Sequence, residues 1–271
     1  MENIEEGLGN LGDTISASAD GTQGFPFVTV DKFEVLGEHA RARSRMEAIS
    51  YAPLVTEDQR LQWQNFSMHN QDWIEASRAT FLEHNDIEPI YLPGKVSPWI
   101  YRRRDDIFPE EVTPHSHDTI YTPVWQLSPP PFNPAIVNFD MMSNPEYQEI
   151  IQHVITNKEA RFSPVIDIER SLSLQVSDKD HLLYHEQFID VEAGTGYDRP
   201  HTTYMQPIFK SRNADTVTGI LVGVLAWDVY LADLVPKGVN GMIAVIQSTC
   251  GKASTYTYEL NGAKVSSLLT Y

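Results

Sequence analysis

The run GILVGVLAW, Gly219–Trp227, leaves this chain the fewest choices. It is nearly all apolar and too short to span a bilayer, so Thr218–Trp227 reads as a strand buried on both faces. His201–Phe209 is the second clear strand, and Tyr121–Leu127 and Ala135–Phe139, rich in Val, Ile and aromatic residues, predict two more. A strand at Phe162–Ile168 and shorter ones at Glu88–Leu92 and Trp99–Arg103 are expected. Such strands require a layer on each side of the sheet.

Helical patterns supply those layers. From Asp31, Phe33, Leu36, Ala40, Met46 and Ile49 form an apolar stripe opposite Glu38, Arg41, Arg43, Arg45 and Glu47. This predicts one long helix, stopped by Pro53. TEDQ, Thr56–Gln59, is a capping box that opens a second helix with Leu61, Trp63 and Phe66. A further helix runs through Trp73, Ile74 and Phe81 to Asn85. Ser143, with Pro145 and Glu146 behind it, caps a helix to about Lys158, and Asp228 caps a short one to Val235. Ahead of them all, Ile4, Leu8, Leu11 and Ile15 make a short a/d seam, suited to a helix that continues from elsewhere or pairs with a copy of itself. At the other end, Gly241–Gln247 and Thr255–Leu260 flank an Asn261-Gly262 turn and predict a hairpin that begins another sheet.

The fold class is therefore α+β: long N-terminal helices, then a PAS-like antiparallel sheet with flanking helices, then an incomplete second unit of the same kind. The expected divisions are 1–24, 25–85 (front helices), 86–235 (the sheet domain) and 236–271.

A net charge of −17 argues against a nucleic-acid partner, and Asp105 and Asp106 follow the one basic run, Arg102–Arg104. Cys250 is the single cysteine and closes no intrachain disulfide. The chain has neither an 18-residue apolar run nor a leader pattern at its start. Taken alone it reads as soluble; taken as an excerpt of a receptor, its anchors lie outside both ends. Asn65-Phe66-Ser67 is a glycosylation sequon.

The chemical motifs are thin. His115 and His117, beside Asp118, share one face of an extended segment but lack a third metal ligand. His181 and His185 stand four apart, yet Glu186 follows the second histidine, so the HExxH pattern is missing. Cys250 has no evident base, and Asp140, Asp167, Asp190 and Asp228 form no identifiable acid–base couple. No cofactor is implied. The remaining set is Tyr121, Trp125, Asn138, Tyr204 and Asp228, aromatic and polar groups able to enclose a small organic ligand or, equally, to be ordinary sheet core.

NFDMMSNPEYQEIIQHVITNKEARFSP (Asn138–Pro164), MQPIF (Met205–Phe209), GILVGVLAWDVYLADLV (Gly219–Val235) and RSRMEAISYAPLVTEDQRLQWQNF (Arg43–Phe66) together resemble the CHASE/Cache class of extracellular sensory domains. FPFVTVDKFE (Phe25–Glu34) and YTPVWQLSP (Tyr121–Pro129) look like the sensory region of receptor-type nucleotide cyclases of diatom-like algae. The resemblance implies a juxtamembrane stalk over 1–24, a membrane-distal sensor over 86–235 and the start of a membrane-proximal unit over 236–271. It further implies flanking transmembrane helices, a cytoplasmic cyclase beyond Tyr271 and a homodimer at the extracellular face of the plasma membrane. The Arg-x-Trp-Tyr arrangement by which some Cache relatives hold amino acids is absent. The expectation is a ligand-sensing domain without catalysis of its own. A passive dimerisation spacer is the alternative, and a metal-dependent hydrolase built on His115, His181 and His185 a third.

Overall fold

The computed structural model describes residues 2–20, 23–85, 91, 94–104, 108–111, 119–165, 200–211, 214–232, 234–248 and 254–268. In chain order the elements are α1 (Glu2–Ala19), α2 (Phe33–Ser44), β1 (Ala48–Pro53), β2 (Val55–Thr56), α3 (Glu57–His69) and α4 (Asp72–His84). Then come β3 (Tyr101–Arg104), β4 (Phe108–Glu111), β5 (Ile120–Tyr121), β6 (Gln126–Ser128), α5 (Pro145–Asn157) and β7 (Arg161–Phe162). β8 (His201–Phe209), β9 (Val217–Ala226), α6 (Trp227–Leu231), β10 (Met242–Ser248), β11 (Ser254–Asn261) and β12 (Lys264–Leu268) complete the series. The class is α+β, with helices and antiparallel sheets.

Five strands form the main sheet in the order β6-β1-β9-β8-β7, every neighbouring pair antiparallel. The apolar run of β9 lies at the centre, as its lack of polarity requires. Its side chains alternate between two cores. Leu221 and Leu225 join Ile49, Tyr51 and the N-terminal helices, while Ile220 and Val222 face Ile150, Ile151 and Val154 of α5. The sheet is thus covered on both sides.

Several expectations need correction. The helix from Asp31 ends at Ser44, because Arg45 turns into the left-handed region (φ 59°). Residues 48–53 then become β1, paired with β9 on one edge and β6 on the other. Met46 and Ile49 are buried as foreseen, but Met46 lies in the connection after α2 and Ile49 in β1. One strand of the sheet thus comes from 25–85, a segment expected to supply helices alone, and the other four from 86–235.

Tyr121–Leu127 is not one strand. It breaks into β5, paired with β2, and β6, paired with β1, and the chain between is drawn aside when Val124 N donates to Phe139 O. Nor is Ala135–Phe139 a strand. Pro134–Ile136 winds into a 3-10 turn capped by the Asn133 side chain, and Asn138 takes a positive φ of 72°. Ser143 does not cap α5 either; its hydroxyl donates to Asp140 O, and Asn144 stands at the helix start. Asp228 lies in the first turn of α6, with Ala226 at the cap position. The strand at Glu88–Leu92 and the part of Phe162–Ile168 beyond residue 165 fall outside the described residues.

The seam of α1 is spent within the fold. Ile4, Leu8, Leu11 and Ile15 are at most 3% exposed and pack on α2 and β8, each contributing roughly 1.5–3 kcal/mol. Gly7 permits the close approach: a Cβ there would meet Ala40 O at 3.3 Å. The C-terminal hairpin gains a third strand, giving the sheet β10-β11-β12, whose Tyr258 and Leu260 bury against Leu231 and Val235.

Candidate functional site

After α1 the chain turns where Phe27 N donates to Gly24 O (2.9 Å) and then runs extended over 27–30, where side-chain hydrogen bonds hold it in place. Gln126 of β6 mimics a neighbouring strand: its Oε1 accepts from Val30 N (2.8 Å) and its Nε2 donates to Val30 O (3.0 Å). Trp125 Nε1 donates to Val28 O (3.0 Å). Because side chains alternate along an extended chain, Val28 is buried in the core while Phe27, Thr29 and Asp31 border a hollow.

That hollow is a trough of 590 Å³ between this segment and the helices α2, α3 and α4. A recess of 440 Å³, lined by Leu61, Gln62 and Asn65, adjoins it and shares Phe27, Phe66, His69 and Asn70. Phe27, Phe66 and Trp73 form the aromatic wall. Trp125 stands behind them, its ring centroid 5.8 Å from Phe66, 5.7 Å from Trp73 and 5.3 Å from Trp63. Offset and edge-on pairs at such distances fix ring orientation.

Some residues of the lining carry polar atoms that are buried beneath its surface and left unanswered. Thr29 Oγ1, Glu34 Oε2 and Trp73 Nε1 are all buried without a hydrogen-bond partner among the described residues. Most buried polar groups find one, and each that does not costs about 1–3 kcal/mol. The other oxygen of Glu34 accepts from Arg41 Nη2 at 3.0 Å, and Arg41 Nε donates to Ser128 Oγ (3.0 Å). Burial pushes the Glu34 carboxyl up to about 7, against the pull of Arg41. The Ser128 hydroxyl also lowers it, although its approach is not a hydrogen bond of good geometry and leaves Oε2 unsatisfied. α2 lies hard against β6 here: a Cβ on Gly37 would fall 2.2 Å from that of Ser128.

The five residues singled out from sequence do not meet in one cavity. Trp125 and Asn138 are 0% exposed. Asn138 accepts from Trp63 Nε1 (3.0 Å) and donates to Ser67 Oγ (2.9 Å) and Ser97 O (2.8 Å), which binds α3 to the sheet. Tyr121 is buried, and its hydroxyl donates to Glu57 Oε2 (2.5 Å), the first residue of α3. Tyr204, also buried on β8, packs on Phe162 at 4.7 Å, and burial raises its phenol to about 12. Asp228 is half-buried on α6.

Asn65 is exposed on α3 beside the recess, and its sequon partner Ser67 is buried. His115, His117, Asp118, Asp167, His181, His185, Glu186, Asp190 and Cys250 lie outside the described residues. Among the described residues, no group of three or more His, Cys, Asp or Glu is placed to hold a metal, and no helix is long and apolar enough to cross a membrane.

Sequence reasoning missed the trough-lining Thr29 and Glu34, while Trp73, which also borders the trough, belongs to the hydrophobic core. The available signal was the short alternation of Phe27, Val28 and Thr29, which puts the first and third side chains on one side.

An antiparallel sheet clad in helices, with an aromatic trough walled by its front helices, defines a domain of α+β class. The CHASE family model matches residues 27–177, more than half of the 271-residue chain, and the chain belongs to that family. CHASE domains are sensory, non-catalytic and typically extracellular parts of signalling receptors. No curated protein matches the chain significantly.

Proposed function

We propose that this chain is the ligand-sensing region of a transmembrane receptor and that its small-molecule ligand sits in the trough between residues 27–34 and helices α3 and α4. The observation that carries this reading is the trough itself, whose lining joins Phe27, Phe66 and Trp73 to polar residues such as Asn70 and Asp72. Aromatic area with a few convergent polar groups is the usual make-up of a ligand site. Trp125, Asn138 and Tyr121 serve this site from behind, by setting the wall and α3; Tyr204 and Asp228 stand apart from it.

The strand order of the main sheet, 2-1-5-4-3 when its five strands are numbered along the chain, supports the PAS-like reading. The route of the signal follows from connectivity. The segment 27–34 follows α1 in the chain and enters α2, and the two helices are packed together and bridged by Glu6 and Arg43 at 3.3 Å. A ligand that holds this segment to α3 and α4 more tightly in one state than in the other shifts the balance of α1 positions, by no more than that difference in affinity. Dimerisation, flanking membrane helices, a glycan on Asn65 and a cyclase effector belong to the same proposal and rest on the resemblance stated above.

The test is a thermal-shift screen of the purified domain against a metabolite library, repeated with Ala76→Trp. Ala76 is exposed on α4 within the trough lining, so an indole there fills the seat without entering the core. Compounds that stabilise the wild type should fail to stabilise the variant. Equal stabilisation of both places the ligand elsewhere.

A further inference from the structure

We infer that the open edge of β10 is a self-association surface, on which β10 of a second copy of this chain pairs antiparallel. The inference does not depend on the trough as a ligand site, and it gives the dimer proposed above a particular surface. A strand at the rim of a sheet leaves a row of N–H and C=O groups unpaired, and folds blunt such rims with short strands, charges, proline or a covering segment. The other rims among the described residues are blunted in these ways. β6 has three residues and is covered by the 27–30 segment through Gln126 and Val30, while β7, β2 and β5 have two residues each. β3 and β4 contain arginines, glutamates and Pro109, and β12 begins on Lys264. β10 is the exception. It ends the sheet β10-β11-β12, pairs with β11 alone among the described residues, and its seven residues, MIAVIQS, include no charge and no proline.

The strand is anchored on one face, where Ala244 and Ile246 pack with Tyr256 on the core of Tyr258 and Leu260. Met242, Ile243 and Val245 stay 48%, 52% and 55% exposed. Three exposed apolar side chains along an unpaired rim mark a place for another strand.

Charge and register make that strand a second copy. At a net charge of −17, two copies repel over most of their surface. From Gly238 to Gly251, however, the chain has no Asp, Glu, Lys, Arg or His, so this rim is where two copies meet without local repulsion. A two-fold axis normal to the sheet keeps each side chain on its own face, so facing residues lie an even number of positions apart. Centred on Ala244, it sets Ile243 against Val245 of the second copy and Met242 against Ile246, apolar on apolar at each pair. The joined sheet then ends on β12 at both sides, and assembly stops at two. A single strand pair falls in the small, transient class of interface, so the dimer should dissociate at roughly 10–100 μM.

The experiment is sedimentation velocity of the whole chain from about 1 to about 300 μM, over which the wild type should pass from monomer to dimer. Salt screens the repulsion between copies, so the dimer should tighten severalfold between about 0.05 and about 0.3 M salt. Val245→Lys puts a charge on the rim at an exposed position and should weaken the dimer about tenfold or more with the melting temperature unchanged. Ser267→Lys, the same change of net charge at an exposed position of β12, should leave the dimer as tight as in the wild type. Hydrogen exchange of the wild type should slow with concentration over 242–248 and not in α1, a measurement that decides the question even if Val245→Lys does not fold. A chain that stays monomeric throughout, a dimer that Val245→Lys leaves intact or that salt weakens, assembly beyond two copies, or slowing confined to α1 would each overturn the assignment.

Discussion

Two buried carboxylates, about a hundred residues apart in sequence, live under opposite rules. Asp140 Oδ1 accepts from Thr122 N (2.9 Å), Thr122 Oγ1 (3.5 Å) and Met142 N (3.2 Å), and it closes the turn before α5. Glu34 has one oxygen held by Arg41 and the other answered by nothing among the described residues, on the edge of an open trough. Both carboxyls are raised by burial, to about 6 and about 7. The turn around Asp140 and its neighbour Asn138 is finished architecture. The carboxyl of Glu34 is withdrawn from water with one oxygen left unpaired, a state that costs stability.

The largest effect should come from breaking the finished side. Asn138→Ala leaves Trp63 Nε1, Ser67 and Ser97 O with lost partners and puts alanine at φ 72°. Chemical denaturation should show a loss of about 3–4 kcal/mol; a loss under about 1 kcal/mol would mean that the turn is not finished in this sense.

Next comes the pH dependence of the two carboxyls. A group whose folded pKa lies above its unfolded value binds its proton more tightly when folded, so stability falls as pH rises between the two values. For Asp140 that window runs from 3.8 to about 6, and for Glu34 from 4.5 to about 7. Between about 6 and 7 Glu34 is the one of the pair still losing stability. Glu34→Gln should therefore gain on the wild type across its window, by about 2–3 kcal/mol in total, read from urea midpoints at several pH values. His84, exposed and bonded to Glu38, is also raised slightly by Glu34, so the comparison is made in a His84→Gln background. Parallel pH curves would show that Glu34 is not held unpaired.

The smallest effect should come from Thr29→Val, which replaces an unanswered hydroxyl by a methyl of similar shape. Stability should be unchanged or higher by a few tenths of a kcal/mol, up to about 1. A loss above about 1 kcal/mol would reveal a partner for that hydroxyl.

Much of the frame was legible in the residues. β8 and β9 were placed to within a residue at each end, β9 because a nearly unbroken apolar run needs burial on both faces, and the Thr56 box marked the start of α3, where Gln59 Oε1 accepts from Thr56 N at 3.3 Å. β1 was misread because its apolar residues continued the helical stripe of α2. The break falls on Arg45, a residue type that gives no warning of a left-handed turn. The site was harder to read. Trp125 and Asn138 carry chemistry suited to ligand binding, but the same groups build a core, and only their satisfied partners in the fold decide which. The trough residues stood out less, since an unpaired Glu34 is a consequence of what the fold fails to bring near it.

The central claim is that the trough walled by Phe27, Phe66 and Trp73 receives the signal molecule. The most direct measurement is a crystal structure of the domain with a compound found to stabilise it. Density for that compound in the trough between residues 27–34 and α4, against Phe66 and Trp73, is the predicted result. Density on the opposite face of the sheet, beside Met205 and α5, would contradict it.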